Sequence, residues 1–230
     1  MQAEWLGDIM AGASEVLLPT GAEIVGGHTS MGAELSLGFS ITGLVTEPAI
    51  TLAGATPGQS LIVSRPIGSG VLFAAEMQSQ ANGNDVEALL RTLETPQGPA
   101  SVILAQAGAT AMTDVTGFGL AGHLFGMLRE SKVGAELVLN DIPFFAGAVD
   151  LARSGVRSHL HAANQVGVPI VTGRNDPRAA LLFDPQTAGG FLAAVPAAAA
   201  PQLIMALTEA GFASATIGQV HEGDPTITVR

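Results

Sequence analysis

The chain has 230 residues, of which 47% are hydrophobic and 13% are charged, with nine Lys and Arg against 20 Asp and Glu. The formal net charge of -11 argues against a nucleic-acid partner, because phosphate contacts need a basic surface. The absence of cysteine excludes disulfides, cysteine metal ligands and a cysteine nucleophile within this sequence. Since no uninterrupted apolar run reaches about 18 residues and the N-terminus lacks a positively charged leader, we expect a cytoplasmic protein without a membrane partner.

The first part of the chain predicts one helix and two strands. Apolar residues recur at helical spacing between Trp5 and Leu17, which predicts a helix. Short strands are predicted over residues 22–27 and 35–45, the second from its alternating apolar side chains. The Pro-, Gly- and Thr-rich stretch TEPAITLAGATPGQS follows and predicts a domain boundary.

Beyond this boundary strands and helices are interleaved. The predicted order is strand, turn and helix over 61–77, helices over 85–93 and 100–107, a strand ending at 113, a helix over 117–131, a strand and turn over 134–143, a helix over 146–154, a long polar loop over 158–178, a buried strand after 189–190, a helix over 201–210 and strands over 213–220 and 226–229. This order predicts the α/β class, with an α+β-like mixed sheet and flanking helices.

The stretch MTDVTGFGLAGHL, residues 112–124, places a carboxylate and three glycines ahead of a predicted helix. Asp114 either caps this helix, as Asp often does, or holds a divalent cation that carries a phosphate. Gly117 and Gly119 remove side chains where a backbone or a ligand must come close. His123 lies on the same helix, and a lone histidine is more typical of packing or hydrogen bonding than of metal ligation.

A second glycine-rich stretch, IVGGHTSMG, follows the predicted strand over 22–27. Gly26 and Gly27 free the backbone to present N–H groups, and His28 adds a donor, which suits an anion such as phosphate. The stretch has neither the lysine of a P-loop nor the GxGxxG spacing. A simple turn before the next strand is the alternative interpretation.

Three further stretches are turns or ligand contacts. SRPIGSG is either a turn or an anion-binding loop with Arg65, and DPQTAGG is a turn by its chemistry, with ligand contact as the alternative. In SHLHAAN, His159 and His161 would face one side on a strand but not on a helix. Two histidines without a third ligand make a weak metal site, so their role stays open.

Taken together, these stretches resemble the selenophosphate synthetases (selenide, water dikinases). GGHT, ITGLV, RPIGSGVL, AMTDVTGFGLAGHL and FDPQTAGGFLAAV occur in the order and at about the spacing of that family, over essentially the whole chain. The resemblance implies the C-terminal domain of the amidoimidazole-ribotide-synthetase-like superfamily for residues 56–230. Residues 1–55 would then be a remnant, the last helix and strands, of the N-terminal ATP-binding domain.

The resemblance also implies a reaction and a site. The family converts ATP, selenide and water to selenophosphate, AMP and phosphate, with ATP as substrate and Mg²⁺ as cofactor. Asp114 matches an aspartate that binds magnesium near the ATP phosphates. Gly26, Gly27 and His28 match a loop that contacts ATP in a site shared between two subunits, so a homodimer is expected.

The same resemblance implies that this sequence holds only part of the site. The family's Cys or selenocysteine, lysine and metal-binding aspartates lie in the rest of the N-terminal domain, so we expect no catalytic residue within this chain. The missing domain or a partner chain would supply the remainder. Two alternatives stay open: a non-catalytic dimerisation or nucleotide-binding module of a larger or fused protein, and a related ATP-dependent synthetase or kinase with another substrate.

Overall fold

The computed structural model describes residues 3–45, 48–172 and 176–230. The chain divides into two compact units, Met1–Pro48 and Ala49–Arg230. The first unit contains the predicted helix, α1 (Ala3–Leu17), which is followed by a 3-10 turn over Leu18–Thr20. Pro19 lies within that turn, and it has no backbone N–H with which to continue the α-helical hydrogen bonds.

The two strands predicted for the first unit are wrong. The described backbone over residues 21–45 has no regular strand, and the side chains of Leu37, Phe39 and Ile41 are more than half exposed. A strand is stabilised by ladder hydrogen bonds to a neighbour, and no described segment of this unit pairs with residues 35–45. The alternating pattern therefore identifies an exposed, apolar segment but cannot show that a partner strand is present.

The second unit contains a sheet and the remaining helices. Its strands are β1 (Ser60–Val63), β2 (Ala111–Asp114), β3 (Gly134–Leu137), β4 (Ile170–Thr172), β5 (Phe191–Val195), β6 (Ala215–His221) and β7 (Ile227–Val229). Its helices are α2 (Ser69–Met77), α3 (Gly83–Leu93), α4 (Gly98–Gln106), α5 (Gly119–Ser131), α6 (Ala148–Arg153), α7 (His161–Gln165), α8 (Pro177–Leu181) and α9 (Ala200–Glu209).

The prediction of a long polar loop over residues 158–178 is wrong in part. This stretch holds α7, β4 and the start of α8, while residues 173–175 lie outside the described ranges. Each of these elements has only three to five residues, too few to show a hydrophobic period. Their formation depends on neighbours, as in the parallel pairing of β4 with β7.

The described strands form one mixed sheet in the order β2-β5-β1-β6-β3-β7-β4. β3, β7 and β4 pair in parallel, and the other pairs are antiparallel. Leu61 and Val63 of β1 belong to a core shared with α2, α5 and α6, whereas Ile62 belongs to a core shared with α4 and α9. Alternate side chains thus bury both faces of the sheet at β1, and the predicted α/β class with a mixed sheet and flanking helices is confirmed.

Candidate functional site

Two of the sequence motifs meet at the β2 edge of the sheet. β2 and β5 are antiparallel, and Asp114 at the end of β2 is paired with Phe191 at the start of β5. The stretch that leaves β2 therefore lies beside DPQTAGG, which enters β5. The Val115 N–H donates to Gly190 O at 2.9 Å, and the Gln186 N–H donates to Thr116 O at 3.0 Å. The turn after Asp114 is thus built against the DPQTAGG segment.

Asp114 is the last residue of a strand and does not cap a helix. The N-cap of α5 is Phe118, which has no side-chain cap bond, and a turn separates it from β2. The capping interpretation of Asp114 is therefore wrong, because the strand runs one residue further than its sequence predicts. The carboxylate is exposed, with Thr113 Oγ1 at 3.5 Å from Oδ1, and takes part in no ion pair among the described residues.

His123 reaches back from α5 to the same turn. Its Nε2 accepts a hydrogen bond from the Thr116 N–H at 3.0 Å and lies 3.2 Å from Thr116 Oγ1. An Nε2 atom that accepts from an amide requires the neutral ring with its hydrogen on Nδ1. Burial lowers the pKa of His123, and the negative charge of Asp114 offsets this in part. His123 is a hydrogen-bonded histidine, as its isolated position in the sequence suggests.

The glycines of this turn serve different purposes. Gly119 has φ +72°, and an added Cβ would lie 2.8 Å from Leu182 O and 2.9 Å from Asp184 O. A backbone therefore makes the close approach that the sequence predicts at this position. Gly117 has open space where a side chain would be. No contact with the described residues of this unit requires glycine there.

Asn164 of α7 is a site residue that the sequence does not reveal. Its Nδ2 donates to Gly117 O at 2.8 Å and to Phe183 O at 3.0 Å, so that it joins the turn after Asp114 to the segment before DPQTAGG. The stretch SHLHAAN directs attention to its histidines instead. Since both acceptors are distant in sequence, no local pattern identifies this amide.

The two histidines of SHLHAAN do not form a pair. His161 is buried at the start of α7, with its ring edge against Phe183 at 6.2 Å between centroids, whereas His159 precedes the helix and is exposed. Burial lowers the pKa of His161, as does the charge of Arg157. Within the described ranges, no three or more His, Asp or Glu side chains are grouped to hold a metal ion.

The second glycine-rich turn of this unit, SRPIGSG, is closed by the protein itself. Gln186 Oε1 accepts from the N–H groups of Gly68 at 2.9 Å and Ser69 at 3.2 Å, while Asp184 Oδ2 accepts from Val71 at 3.1 Å. These donors at the start of α2 are therefore not available to an anion. Burial raises the pKa of Asp184 to about 6, although the hydrogen bonds from Val71 and Gln186 lower it in part.

Arg65 of the same turn is also used internally. Its guanidinium is buried and donates to Thr95 O at 2.8 Å and to the carbonyl oxygen of Ala188. Burial lowers the pKa of Arg65. The side chain thus fastens DPQTAGG to the chain that leaves α3, which supports the turn interpretation of SRPIGSG over the anion-binding one.

Gly26, Gly27 and His28 lie in the first unit, in an exposed segment without regular secondary structure. Asp114 lies in the second unit. Their contact with a nucleotide stays a prediction. Across the parts of the chain that the structure covers, no helix has both the length and the apolar character needed to cross a membrane.

Comparison with known proteins identifies the family of this fold. Residues 56–230 match the family described as AIR synthase related protein, C-terminal domain. A thiamine-monophosphate kinase from Stenotrophomonas maltophilia has a similar structure, with a TM-score of 0.57 and 20% identity over 78% of this chain and 52% of that chain. Hydrogenase maturation protein HypE in complex with ATP is similar with a TM-score of 0.52 and 15% identity, over 81% of this chain and 51% of that chain. These two likenesses concern the fold.

Curated relatives are more similar in sequence. Selenide, water dikinase of Myxococcus xanthus is 36% identical over 97% of this chain, and that of Dechloromonas aromatica is 32% identical over 98%. The chain spans about two thirds of the length of these relatives, 66% and 67% respectively. With its AIR-synthase-related C-terminal domain and its likeness to these proteins along almost its whole length, the chain belongs to the selenide, water dikinase family.

Proposed function

We propose that this chain serves an ATP-dependent phosphoryl transfer to selenide, in which ATP, selenide and water give selenophosphate, AMP and phosphate. The observation that carries the proposal is the exposed Asp114 carboxylate, which stands at the end of β2 on a turn fastened by backbone and side-chain hydrogen bonds. Membership of the selenide, water dikinase family supports the choice of reaction. Similarity to a protein whose structure contains ATP supports ATP as the phosphoryl donor.

Asp114 suits one position in the coordination sphere of Mg²⁺. Magnesium prefers oxygen ligands and is usually held by one or two carboxylates together with substrate phosphates and waters. One exposed carboxylate fits that pattern as a single ligand, and the others would come from ATP, water and residues outside the second unit. When bound, the ion neutralises charge on the phosphates during transfer. The part of this chain is to hold and orient the ion through Asp114.

The glycine-rich segment of the first unit is proposed to contact the nucleotide. Gly26 and Gly27 allow their backbone N–H groups to converge on a phosphate, and His28 adds a side-chain donor. With a net charge of -11 and a single lysine, the chain has little positive charge of its own to offset ATP. We therefore expect weak or undetectable ATP binding by this chain alone, measured by calorimetry with MgATP. Micromolar affinity would contradict this expectation.

The remainder of the site is proposed to come from another domain or from a partner subunit, with two copies of the chain in a cytoplasmic homodimer. Residues 35–45 support this arrangement, because their alternating apolar side chains are exposed and could be buried against a second copy of the chain. Assignment of residues 1–55 to an N-terminal domain belongs to the same proposal. A monomer by light scattering at high concentration would contradict the homodimer.

Replacement of Asp114 tests the proposed role of the carboxylate. The native protein is the one that includes the domain or partner subunit completing the site. In it, Asp114→Ala should lower selenide-dependent formation of AMP from ATP by at least about 100-fold, because charge stabilisation in the transition state is lost. The melting temperature should change little, since the side chain is exposed and caps no helix. Asp141→Ala, at another exposed aspartate of the same unit, is the matched control and should keep full activity. An active Asp114→Ala protein would overturn the proposal.

The acceptor substrate is tested separately. Purified native protein is supplied with ATP and either selenide or another phosphoryl acceptor, and AMP and phosphate are measured. Turnover that depends on selenide supports the proposed reaction. Turnover with another acceptor only would establish a related synthetase or kinase, and absence of all turnover in a protein that still binds nucleotide would establish a non-catalytic module.

A further inference from the structure

The turn that follows Asp114, residues 115–118, is held by the side chains of His123 and Asn164, to which the sequence assigns no part in ligand binding. We propose that Asn164 and His123 are positioning residues, which fix this turn and thereby the direction of the Asp114 carboxylate before any ligand arrives. The inference rests on the proposed role of Asp114 in holding Mg²⁺. It adds to that role a mechanism by which a single carboxylate is oriented.

The two side chains belong to different helices and form hydrogen bonds with adjacent residues of the turn. His123 of α5 accepts from the Thr116 N–H at 3.0 Å, and Asn164 of α7 donates to Gly117 O at 2.8 Å. One bond takes a backbone donor and the other a backbone acceptor. Together they hold the peptide unit before the Thr116 α-carbon and the peptide unit after the Gly117 α-carbon, so that little freedom is left between β2 and α5.

Packing holds only the first residue of this turn, since Val115 is 2% exposed and belongs to the core. Phe118 is 68% exposed, and Gly117 has no side chain and open space around its α-carbon. A segment with few apolar contacts is mobile unless polar contacts restrain it. The side-chain amide of Asn164 and the ring of His123 therefore supply order to residues 116–118 that the apolar core does not supply there.

Asn164 also ties the turn to its support. The same Nδ2 that donates to Gly117 O donates to Phe183 O at 3.0 Å, one residue before the DPQTAGG segment. The side chain is thus shared between the stretches MTDVTGFGLAGHL and FDPQTAGGFLAAV. Removing it leaves two backbone carbonyls without this donor and takes away one of the links between the turn and the segment against which it is built.

A loosely oriented carboxylate is a poor magnesium ligand. Removing a group that orients a metal ligand typically lowers metal affinity or activity by about 10- to 100-fold. We therefore expect Asn164→Ala to raise the Mg²⁺ concentration needed for activity, and to leave the core of the protein folded.

The first experiment measures order in the turn without activity. Amide hydrogen exchange is followed by NMR in the 230-residue chain and in its variants. In Asn164→Ala, the Val115 and Thr116 amides should exchange at least about tenfold faster than in the parent, while amides of β5 are unchanged. Gln165→Ala, at an exposed residue of the same short helix, should match the parent at every amide. Unchanged exchange at Val115 and Thr116 in Asn164→Ala would overturn the inference.

The His123 contact is tested by removing and restoring the acceptor. His123→Phe keeps a ring but lacks the acceptor, so the Thr116 amide should lose protection. His123→Gln provides an amide oxygen and should restore part of it. The nitrogen chemical shifts of the parent ring should show the hydrogen on Nδ1. A ring with its hydrogen on Nε2, or equal protection in both variants, would overturn the role of His123.

The second experiment compares the Mg²⁺ dependence of activity in the native protein. Asn164→Ala should raise the half-saturating Mg²⁺ concentration about tenfold and recover much of its kcat at excess Mg²⁺, which a general loss of folded protein would not do. Gln165→Ala should match the parent. If Asp114→Ala is inactive but Asn164→Ala keeps the parent Mg²⁺ dependence, the positioning role is wrong and the proposed function stands. If Asp114→Ala is active, the proposed function itself fails, and so does any role for the turn in orienting a metal ligand.

Discussion

The second unit contains two glycine-rich turns that lead from a strand into a helix: SRPIGSG before α2, and the turn after Asp114 before α5. They differ in which groups of the protein occupy their backbone donors. Neither α2 nor α5 has a side-chain bond from its own N-cap residue. At α2, the first N–H groups are taken by Gln186 and Asp184, which are 5% and 2% exposed. At the turn before α5, the donor at Thr116 is taken by His123, and the Asp114 carboxylate stays exposed.

The difference between these turns shows why a glycine-rich sequence ahead of a helix is weak evidence for a ligand. SRPIGSG and TDVTGFG carry the same elementary signals, namely glycine, small hydroxyl residues and a following helix. The helix dipole attracts negative charge at both turns. At α2 the chain supplies that charge from a distant, buried segment, whereas the α5 turn carries an exposed carboxylate.

The largest expected effect comes from Gly70 in the closed turn. An added Cβ would lie 2.4 Å from Pro185 O and 2.7 Å from Asp184 Oδ1. Since a backbone carbonyl cannot move aside cheaply, Gly70→Ala should lower the free energy of unfolding by about 3 kcal/mol or more, as overpacking does. Urea denaturation measures the change.

Gly83→Ala is the matched control for this substitution. Gly83 is the first residue of α3, and an added Cβ there meets nothing within 4 Å. Its stability should change by less than about 1 kcal/mol. Equal stability of the two variants would show that the α2 turn is not closed as tightly as described.

The sequence predicts most of the second unit because its elements have local signals. Strand β5 follows a glycine pair and α5 carries an apolar stripe, so both are found from periodicity. The short elements α7, β4 and α8 are missed, since their formation depends on contacts far along the chain. The strand predicted over residues 35–45 fails for a related reason, because alternation does not show whether a partner strand exists.

The candidate site divides in the same way. Asp114 is identified by its motif, but its position at the end of β2 instead of at a helix cap depends on pairing with Phe191. The contacts of His123 and Asn164 join residues 7 and 47 positions apart, respectively. The course of the turn into α5 sets the first contact and the packing of α7 sets the second, so periodicity and motif cannot predict them.

A pH-dependent stability is the second prediction, and it sharpens the description of the closed turn. Burial raises the pKa of Asp184 from 3.8 to about 6, so the folded chain binds this proton more tightly than the unfolded chain does. The stabilisation that this proton provides is present in full below pH 3.8 and is lost as the pH rises through about 6. The loss is up to about 3 kcal/mol, because one pKa unit corresponds to about 1.4 kcal/mol.

Asp184→Asn isolates this contribution. The asparagine cannot ionise, so the difference in unfolding free energy between the variant and the parent should shift in favour of the variant between pH 4 and pH 7. Comparison at each pH is needed because the lowered pKa values of His123 and His161 act in the opposite direction, raising stability as the pH rises. If the free energies of unfolding of the variant and the parent change with pH in parallel, the pKa of Asp184 is not raised by burial in the folded chain.

The smallest expected effect is at Gly117, in the open turn. An added Cβ has no neighbour within 4 Å, and its φ lies outside the left-handed region that favours glycine. Gly117→Ala should therefore change the free energy of unfolding by no more than about 0.5–1 kcal/mol, and toward greater stability, because alanine has less conformational entropy to lose on folding. Because the folded chain does not require glycine there, the variant separates folding from ligand approach. If Gly117→Ala unfolds like the parent but loses activity in the native protein, the open space belongs to a ligand. If it is destabilised as strongly as Gly70→Ala, the two turns do not differ as the structure describes.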